Sequence, residues 1–230
     1  MKYRMEFSKK KEVAFVSHLE LMKVFSQAIR RAKLPIAWTE GFNPRPKINF
    51  SSAIATGMTS LAECADMELN QFLEPDVIQQ KLNDALPQGF EVHAIRFLEE
   101  KSKSLMALMA YADYHVEIKW LHRGEEQIDW SKMVEHFLAG PEILIQYESK
   151  GKKKTKDLRP GIVHMEAQKA DEKLVLRMQL ISGSTGNVRP EHVTEAFLSY
   201  VPCSAALSTR YEKTMTYGLK QQEKVRLFEV

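Results

Sequence analysis

The chain has 230 residues, of which 44% are hydrophobic and 27% charged, so its composition is that of an ordinary globular protein and argues against disorder. This length suits two domains of about a hundred residues each. The net charge of +3 is too small by itself to identify a nucleic-acid-binding protein.

The first hundred residues predict the order strand, helix, strand, strand, helix, strand. Tyr3, Met5 and Phe7 alternate with polar residues, as in a strand, and a short apolar run follows at 13–16. Ser17 and Glu20 have the S-x-x-E spacing of a capping box, which predicts that a helix begins there. Its outer face is predicted to be basic, with Lys23, Gln27, Arg30 and Arg31, and Pro35 ends it.

After the helix, two strands are predicted at 48–54 and 65–69, then a helix that begins at Pro75 and a strand at 90–98. Residues 105–230 repeat this order, starting with the alternating strand at 114–120. The sequence therefore predicts an α+β protein of two tandem ferredoxin-like (βαββαβ) halves, 1–100 and 105–230, joined by the polar segment 99–105. A hairpin at about 142–158 is predicted to be inserted in the second half.

Basic residues are concentrated in this hairpin. Without the five lysines of the hairpin, the chain would have 28 basic residues (33 − 5) against 30 acidic ones. The cluster is either a solvated hairpin tip or a patch that binds phosphates, and Arg159 follows it closely. Its members are Lys150, Lys152, Lys153, Lys154 and Lys156.

The segment Gly41–Lys47, GFNPRPK, is the second candidate binding element. Gly and Pro are typical of a rigid turn, which would explain the segment without a function. Rigidity alone does not require two cations, however, and a preshaped loop could present Arg45 and Lys47 to phosphates with Phe42 as a stacking platform. Asn43 lies at the centre of the same segment.

Two further features have both a structural and a functional interpretation. His18, in the first turn of the first helix, is either a histidine at the edge of the core or a proton-transfer group. The stretch Gly183–Asn187 precedes the helix at Pro190 and is either a turn that needs glycine or an anion-binding nest, formed by Gly183, Ser184, Gly186 and Asn187. It lacks the Lys-Ser/Thr ending of a nucleotide-binding P-loop.

Metal and membrane features are absent from the sequence. Cys64 and Cys203 lie far apart, so neither a disulfide framework nor the thiolates of an iron–sulfur site are available. No histidines have zinc-ligand spacing, and we expect no cofactor. The N-terminal segment has no apolar core of signal-peptide length and no stretch approaches a membrane span, so we expect a cytoplasmic protein without membrane contact.

The segment Ser17–Met58, together with KDLRPGI at 156–162 and GSTGNVRPE at 183–191, resembles the radical-SAM-linked protein family. The resemblance extends to about Tyr200, and the tail from Tyr211 onward matches no known pattern. It implies a bacterial, cytoplasmic accessory protein whose partner is a radical-SAM enzyme. It implies no catalytic residues.

Three functional hypotheses follow from these features. The first is a non-catalytic RNA-binding accessory protein that presents RNA to a radical-SAM modifying enzyme. The second is a metal-independent ribonuclease with His18 as general acid or base, because the tandem architecture is similar to that of CRISPR repeat-processing endonucleases. In those enzymes a Gly-rich loop precedes the final strand, whereas here it precedes the last helix. The third is a protein-binding scaffold without RNA contact.

Overall fold

The computed structural model describes residues 1–99, 102–120, 128–149, 151–184, 186–201 and 206–230. These residues have a mixed α+β fold dominated by sheet. The chain divides into two compact units, the first made of Met1–Ala110 and Lys213–Val230 and the second of Tyr111–Glu212. This division differs from the predicted halves 1–100 and 105–230, because the last residues of the chain return to the first unit.

The elements follow the chain in an order close to the predicted one. Up to residue 108 they are β1 (Lys2–Lys9), α1 (His18–Arg31), β2 (Ile48–Phe50), β3 (Thr59–Glu68), α2 (Pro75–Ala85), β4 (Phe90–Leu98) and α3 (Leu105–Leu108). The later ones are β5 (Met109–Trp120), α4 (Trp130–Ala139), β6 (Leu144–Ser149), β7 (Lys152–Asp157), β8 (Ile162–Ala170), β9 (Lys173–Ile181), α5 (Pro190–Tyr200), β10 (Ala206–Lys220) and β11 (Glu223–Arg226). The apolar run at 13–16 is not a strand, because a single 3-10 turn at Lys11–Val13 leads into α1.

The first unit is built on β1, which pairs antiparallel with β3 on one side and β4 on the other. The short strand β2 pairs with β3. The alternation at Tyr3, Met5 and Phe7 places these side chains in a core with Phe25 and Ile29 of α1. Ile78 and Leu82 of α2 complete the same core.

Charged side chains are also buried in this unit. Arg4 is 0% exposed, and its guanidinium donates to both carboxylate oxygens of Asp66, at 2.8 and 3.2 Å. A second buried group centres on Glu63, whose Oε1 lies 2.6 Å from Lys213 Nζ and accepts from Ser60 Oγ at 2.7 Å. Buried Lys9 donates from Nζ to the carbonyl oxygen of Ala14 at 2.8 Å. Burial is the main cause that lowers the pKa of Lys9, and Lys213 lowers it further while Glu63 opposes the shift.

The second unit contains the antiparallel order β5-β9-β8 and a separate two-stranded sheet of β6 and β7. Val116 and Ile118 of β5 and Leu176 and Met178 of β9 are buried, as the alternating sequence predicts, whereas Arg177 is exposed. The hairpin predicted at about 142–158 is this β6–β7 pair, and Gly151 at its turn has a φ of +72°.

Candidate nucleic-acid interface

Helix α1 has one buried and one exposed face. The predicted capping box is present: Glu20 N donates to Ser17 Oγ at 3.3 Å and Ser17 N donates to Glu20 Oε2 at 2.8 Å. This fixes the start of the helix, so that Leu21 and Phe25 are buried. The opposite face is exposed and contains Lys23, Gln27, Arg30 and Arg31, as predicted.

The loop that follows α1 is closed by hydrogen bonds at its base. Thr39 N donates to Arg45 O at 2.9 Å, and Arg45 N donates to Thr39 Oγ1 at 2.9 Å. Below these bonds, Trp38 and Pro46 form a β-bridge, and Lys47 N donates to Ala37 O at 2.8 Å. The seven residues 39–45 therefore form a loop with a defined shape, as the proline content predicts.

The tip of this loop presents an aromatic ring to solvent. Phe42 is fully exposed, and Asn43 and Arg45 beside it are exposed as well. Gly41 has a φ of +116°, a conformation that favours glycine and turns the chain at Phe42. Lys47 is different, because its Nζ lies 3.3 Å from Glu68 Oε2 in an ion pair, so it is less available to a ligand.

Trp38 is a candidate residue that sequence reasoning missed. It lies at the base of the loop, is 38% exposed, and has the guanidinium carbon of Arg30 5.1 Å from its ring centroid. This distance is that of a cation–π contact. Trp38 has no periodic position in the sequence, and only its closeness to the basic face of α1 could have suggested a role. Arg31, by contrast, donates to the carbonyl oxygen of Ala85 at 2.7 Å and joins α1 to α2.

His18 lies at the edge of the core. Its ring packs edge-on against Phe50, with centroids 5.9 Å apart and an interplanar angle of 83°. Its Nδ1 is buried and has no hydrogen-bond partner among the described residues. Among the described residues no second group lies within hydrogen-bond reach of Nδ1 to orient the ring, and the ribonuclease hypothesis is tested directly below.

The lysines of the β6–β7 hairpin occupy a second basic region, in the second unit. Lys153 and Lys154 are exposed and lie opposite Glu148 and Tyr147 in the strand register. Lys156 donates from Nζ to the carbonyl oxygen of Asn187. Lys152 is described only by its backbone in β7, and Lys150 lies outside the described residues.

Arg159 does not extend this basic region. Its Nε donates to the carbonyl oxygen of Leu138 at 2.7 Å, so it satisfies an acceptor in the last turn of α4. It is half-buried, and its second hydrogen bond, to the carbonyl oxygen of Ile162, is 3.5 Å long. Both contacts favour a structural role for Arg159.

The candidate anion nest is a turn between β9 and α5. Gly183 has a φ of +141°, and Val188 N donates to Ile181 O at 3.0 Å across the turn. Ser184 is exposed and Gly186 half-buried, while Thr185 lies outside the described residues. Glu191 is an acidic residue in the first turn of α5, where its negative charge opposes an anion.

A concavity of about 490 Å³ in the second unit lies between α4, β6 and α5. Glu142 and Glu195 are among its lining residues, together with His136 and Phe137. The carboxylates make it unsuited to a phosphate backbone. In the described part of the chain no three His, Cys, Asp or Glu residues are grouped as metal ligands would be. Cys64 is buried and Cys203 lies outside the described residues.

Helix α1, Trp38 and the loop 39–45 thus supply a surface of exposed cations and aromatic rings on a mixed α+β scaffold. The family model described as "Uncharacterized protein conserved in bacteria (DUF2344)" matches residues 2–190, and the chain belongs to this family. That description names no radical-SAM enzyme, so the association with such an enzyme stays a proposal. None of the helices in the described ranges is long and apolar enough to cross a membrane.

Two other comparisons add little. No curated protein matches the chain. Among solved structures, the chain is similar to one in the "Crystal Structure of a Cbf5-Nop10-Gar1 Complex", with 10% identity and a TM-score of 0.48. The match covers 93% of this chain and 48% of that one, so the chain spans about half the length of the protein it matches.

Proposed function

We propose that this chain is a non-catalytic RNA-binding accessory protein that presents RNA to a radical-SAM modifying enzyme. RNA would bind to a surface of the first unit that we call the α1–loop surface, formed by Lys23, Arg30, Trp38, Phe42 and Arg45. The observation that supports this most is the full exposure of Phe42 at the tip of a loop closed by hydrogen bonds. The partner enzyme rests on the sequence resemblance alone.

An exposed aromatic ring on a loop that is already closed is suited to nucleotide binding for an energetic reason. Stacking of a base on an aromatic side chain is worth about 1–3 kcal/mol. Immobilising a flexible side chain or loop at an interface would cost part of that energy. Here the bonds between Thr39 and Arg45 already hold the loop, so less ordering is left for the ligand to induce.

The cations of the surface supply the second component of nucleic-acid affinity. Lys23, Arg30 and Arg45 are exposed, and Arg45 has no side-chain hydrogen bond or ion pair within the described residues. Each cation that neutralises a phosphate of a single strand releases condensed counterions, and the logarithm of affinity then changes with the logarithm of salt by about 0.7. Lys47 and Arg31 would contribute less, because each already has a protein partner.

We also propose that the two units are tandem ferredoxin-like halves. In the first unit the strand order is β4-β1-β3 with β2 on β3, and in the second it is β5-β9-β8, with β10, whose residues belong to both units, next to β5 in the sheet. These orders agree with a βαββαβ half in which the first strand lies at the centre.

The ribonuclease hypothesis has a direct test. Metal-independent cleavage would use the ribose 2′-OH as nucleophile, proceed in EDTA and leave a cyclic phosphate. Histidine acid–base help is worth about a hundredfold to ten-thousandfold in rate. We expect no cleavage by the wild type and no change on His18→Ala. EDTA-resistant cleavage that this substitution abolishes would instead establish an enzyme.

RNA binding is tested by filter-binding titrations at several salt concentrations. We expect Phe42→Ala to lower affinity by about 1–3 kcal/mol with little change in salt dependence. Arg45→Ala should lower the salt slope by about 0.7. Phe15→Ala is the matched control, because Phe15 is also largely exposed but precedes α1, at the end away from the loop. Phe15→Ala should bind RNA like the wild type. If RNA does not bind, or if Phe42→Ala and Arg45→Ala also bind it like the wild type, the α1–loop surface is not an RNA site.

The scaffold hypothesis predicts the opposite outcome of these RNA-binding measurements. RNA would then bind weakly to the wild type, and substitutions in the α1–loop surface would disrupt a protein complex instead. Co-purification of bound RNA and bound protein from native cells distinguishes these outcomes.

A further inference from the structure

We infer that the α1–loop surface takes unpaired nucleotides, with one base stacked on Phe42 and a second on Trp38, and that Arg30 is the residue that positions Trp38. This inference rests on the proposed RNA-binding function and specifies the class of RNA. Trp38 and Arg30 make the cation–π contact described above.

The position of Trp38 is fixed from two sides. Its backbone forms the β-bridge with Pro46, and the neighbouring bond from Lys47 N to Ala37 O holds the same base of the loop. Its ring is in contact with the guanidinium of Arg30, the next-to-last residue of α1. Trp38 nevertheless keeps 38% of its surface exposed. A large aromatic ring that is both held and accessible is suited to stacking.

The two rings lie on one loop and within reach of one short strand. Trp38 and Phe42 are four positions apart in the sequence, so their Cα atoms are at most about 14 Å apart. Because residues 39–45 fold back on themselves, the actual separation is shorter than this limit. A few consecutive nucleotides of one strand can therefore contact both rings.

The chemistry of stacking selects unpaired bases. In a duplex the faces of the bases are stacked on their neighbours, and the major groove of an RNA helix is too deep and narrow for side chains to enter. A duplex could contact this surface only through its phosphates and sugars, using Lys23, Arg30 and Arg45. An unpaired strand can use both components, the phosphate contacts and the exposed base faces.

The same chemistry fits unpaired DNA, because stacking and phosphate contacts do not involve the 2′-OH. A comparison of oligouridylate with oligodeoxyuridylate of the same length, which differ only in the 2′-OH, separates the two ligands. Stronger binding of RNA would mean that a group on the protein contacts the 2′-OH. Equal binding would identify the recognised feature as the unpaired strand itself.

The experiment measures the affinity of the full chain for a 12-nucleotide oligouridylate and for an RNA duplex of 12 base pairs at one salt concentration. We expect Trp38→Ala to weaken binding of the single strand by about 5- to 150-fold, the range for one stacked base. Duplex binding should change by less than about twofold. Trp38→Phe, which keeps a ring for stacking, should restore most of the affinity if the fold of the loop is retained.

Arg30 is tested as a positioning residue with its neighbour as the control. Arg30→Lys keeps the charge and the possibility of a cation–π contact, so it should bind better than Arg30→Ala. Arg30→Ala should weaken single-strand binding more than duplex binding, because it releases the ring as well as removing a charge. Arg31→Ala removes the charge of the adjacent residue, whose guanidinium already donates to the carbonyl oxygen of Ala85, and should weaken binding of both ligands slightly and to the same extent.

Two results would overturn the inference and leave the proposed function intact. The first is binding of single strand and duplex with the same affinity and the same sensitivity to Trp38→Ala. The second is a loss of single-strand binding in Phe42→Ala but not in Trp38→Ala. Failure of the wild type to bind either RNA would overturn the proposed function itself, and capture of a protein by the α1–loop surface would then favour the scaffold hypothesis.

Discussion

Charged residues of the first unit occupy two regions that differ in exposure and in partners. In the interior, Arg4 and Asp66 pair through two hydrogen bonds. Glu63 pairs with Lys213, and both side chains are buried. On the α1–loop surface, Arg45 is in solvent, without a side-chain partner in the described ranges. The first region uses charge to hold strands together, whereas the second leaves charge available to a ligand.

The difference shows that charge alone does not identify a binding site. A buried ion pair has lost most of its hydration and depends on its partner, so it is costly to break. An exposed cation interacts weakly with neighbours in water and can exchange them for a phosphate. What distinguishes the α1–loop surface from other exposed basic regions, such as the β6–β7 hairpin, is that it also contains the exposed ring of Phe42 and the ring of Trp38, which Arg30 contacts.

Glu63→Gln should have the largest effect, because it removes the carboxylate that pairs with buried Lys213 and that also offsets the positive charge of Lys9. Breaking a buried pair by removing one partner typically costs about 3–5 kcal/mol. Urea unfolding measures this loss.

The matched control is Glu68→Gln, whose carboxylate pairs with Lys47 while both side chains are about 40% exposed. An exposed pair of this kind is worth about 0–1 kcal/mol. Similar losses for Glu63→Gln and Glu68→Gln would remove the distinction between the two regions.

The next effect concerns the two basic regions. If Lys153 and Lys154 contact phosphates, the double substitution to Glu should lower the salt slope of RNA binding by about 1.4. Phe42→Ala should instead lower affinity with little change in slope. The hairpin has no fully exposed aromatic residue among those described, since the ring of Tyr147 lies 6.2 Å from that of His192. Filter-binding titrations separate the two effects. An unchanged slope in the lysine variant would exclude those two lysines as phosphate contacts.

Local signals in the sequence predicted local structure well. The capping box at Ser17 and Glu20 is present, and the strand predicted at 90–98 is β4, with the bounds Phe90–Leu98. In both cases the partners are close in sequence or the side chains repeat with the period of the element. The exposed face of α1 was predicted for the same reason.

Long-range features could not be predicted in this way. Alternation along β1 suggests that polar Arg4 faces solvent, but Arg4 is buried because Asp66 and the carbonyl oxygen of Leu227 accept its hydrogen bonds. Leu227 is 223 residues away in sequence. The return of Lys213–Val230 to the first unit is the same kind of feature. The contact between Arg30 and Trp38 spans only eight positions, but it depends on the path of the chain after α1, which has no periodic signal.

A smaller effect is expected where an exposed polar group has a fixed local partner. Ser17→Ala removes the side chain that accepts from Glu20 N, and loss of such a cap costs about 0.5–2 kcal/mol. Ser26→Ala is the control, because Ser26 Oγ donates to Met22 O inside α1, and alanine is the better helix former. Urea unfolding should show a loss for the first variant and little or no loss for the second. A comparable loss at Ser26 would mean that side-chain hydrogen bonds anywhere on α1 contribute as much as the cap.

The smallest effect is the pH dependence of the free energy of unfolding that Lys9 causes. Burial holds the pKa of Lys9 below its usual value in the folded state, opposed by Glu63 and assisted by Lys213. The unfolded chain, with a lysine pKa of about 10.4, then binds more protons than the folded one, so stability rises with pH between the lowered pKa and that value. Lys9→Met lacks this rise, and the stability of the wild type relative to the variant should increase from pH 7 toward pH 10.

Burial also raises the pKa of the Cys64 thiol, and this makes stability fall with pH above about pH 8.5. The effect is the same in both proteins, so it cancels when their stabilities are compared. Parallel stability curves for the two proteins would mean that Lys9 titrates alike in the folded and unfolded chain, and that its burial carries no electrostatic cost.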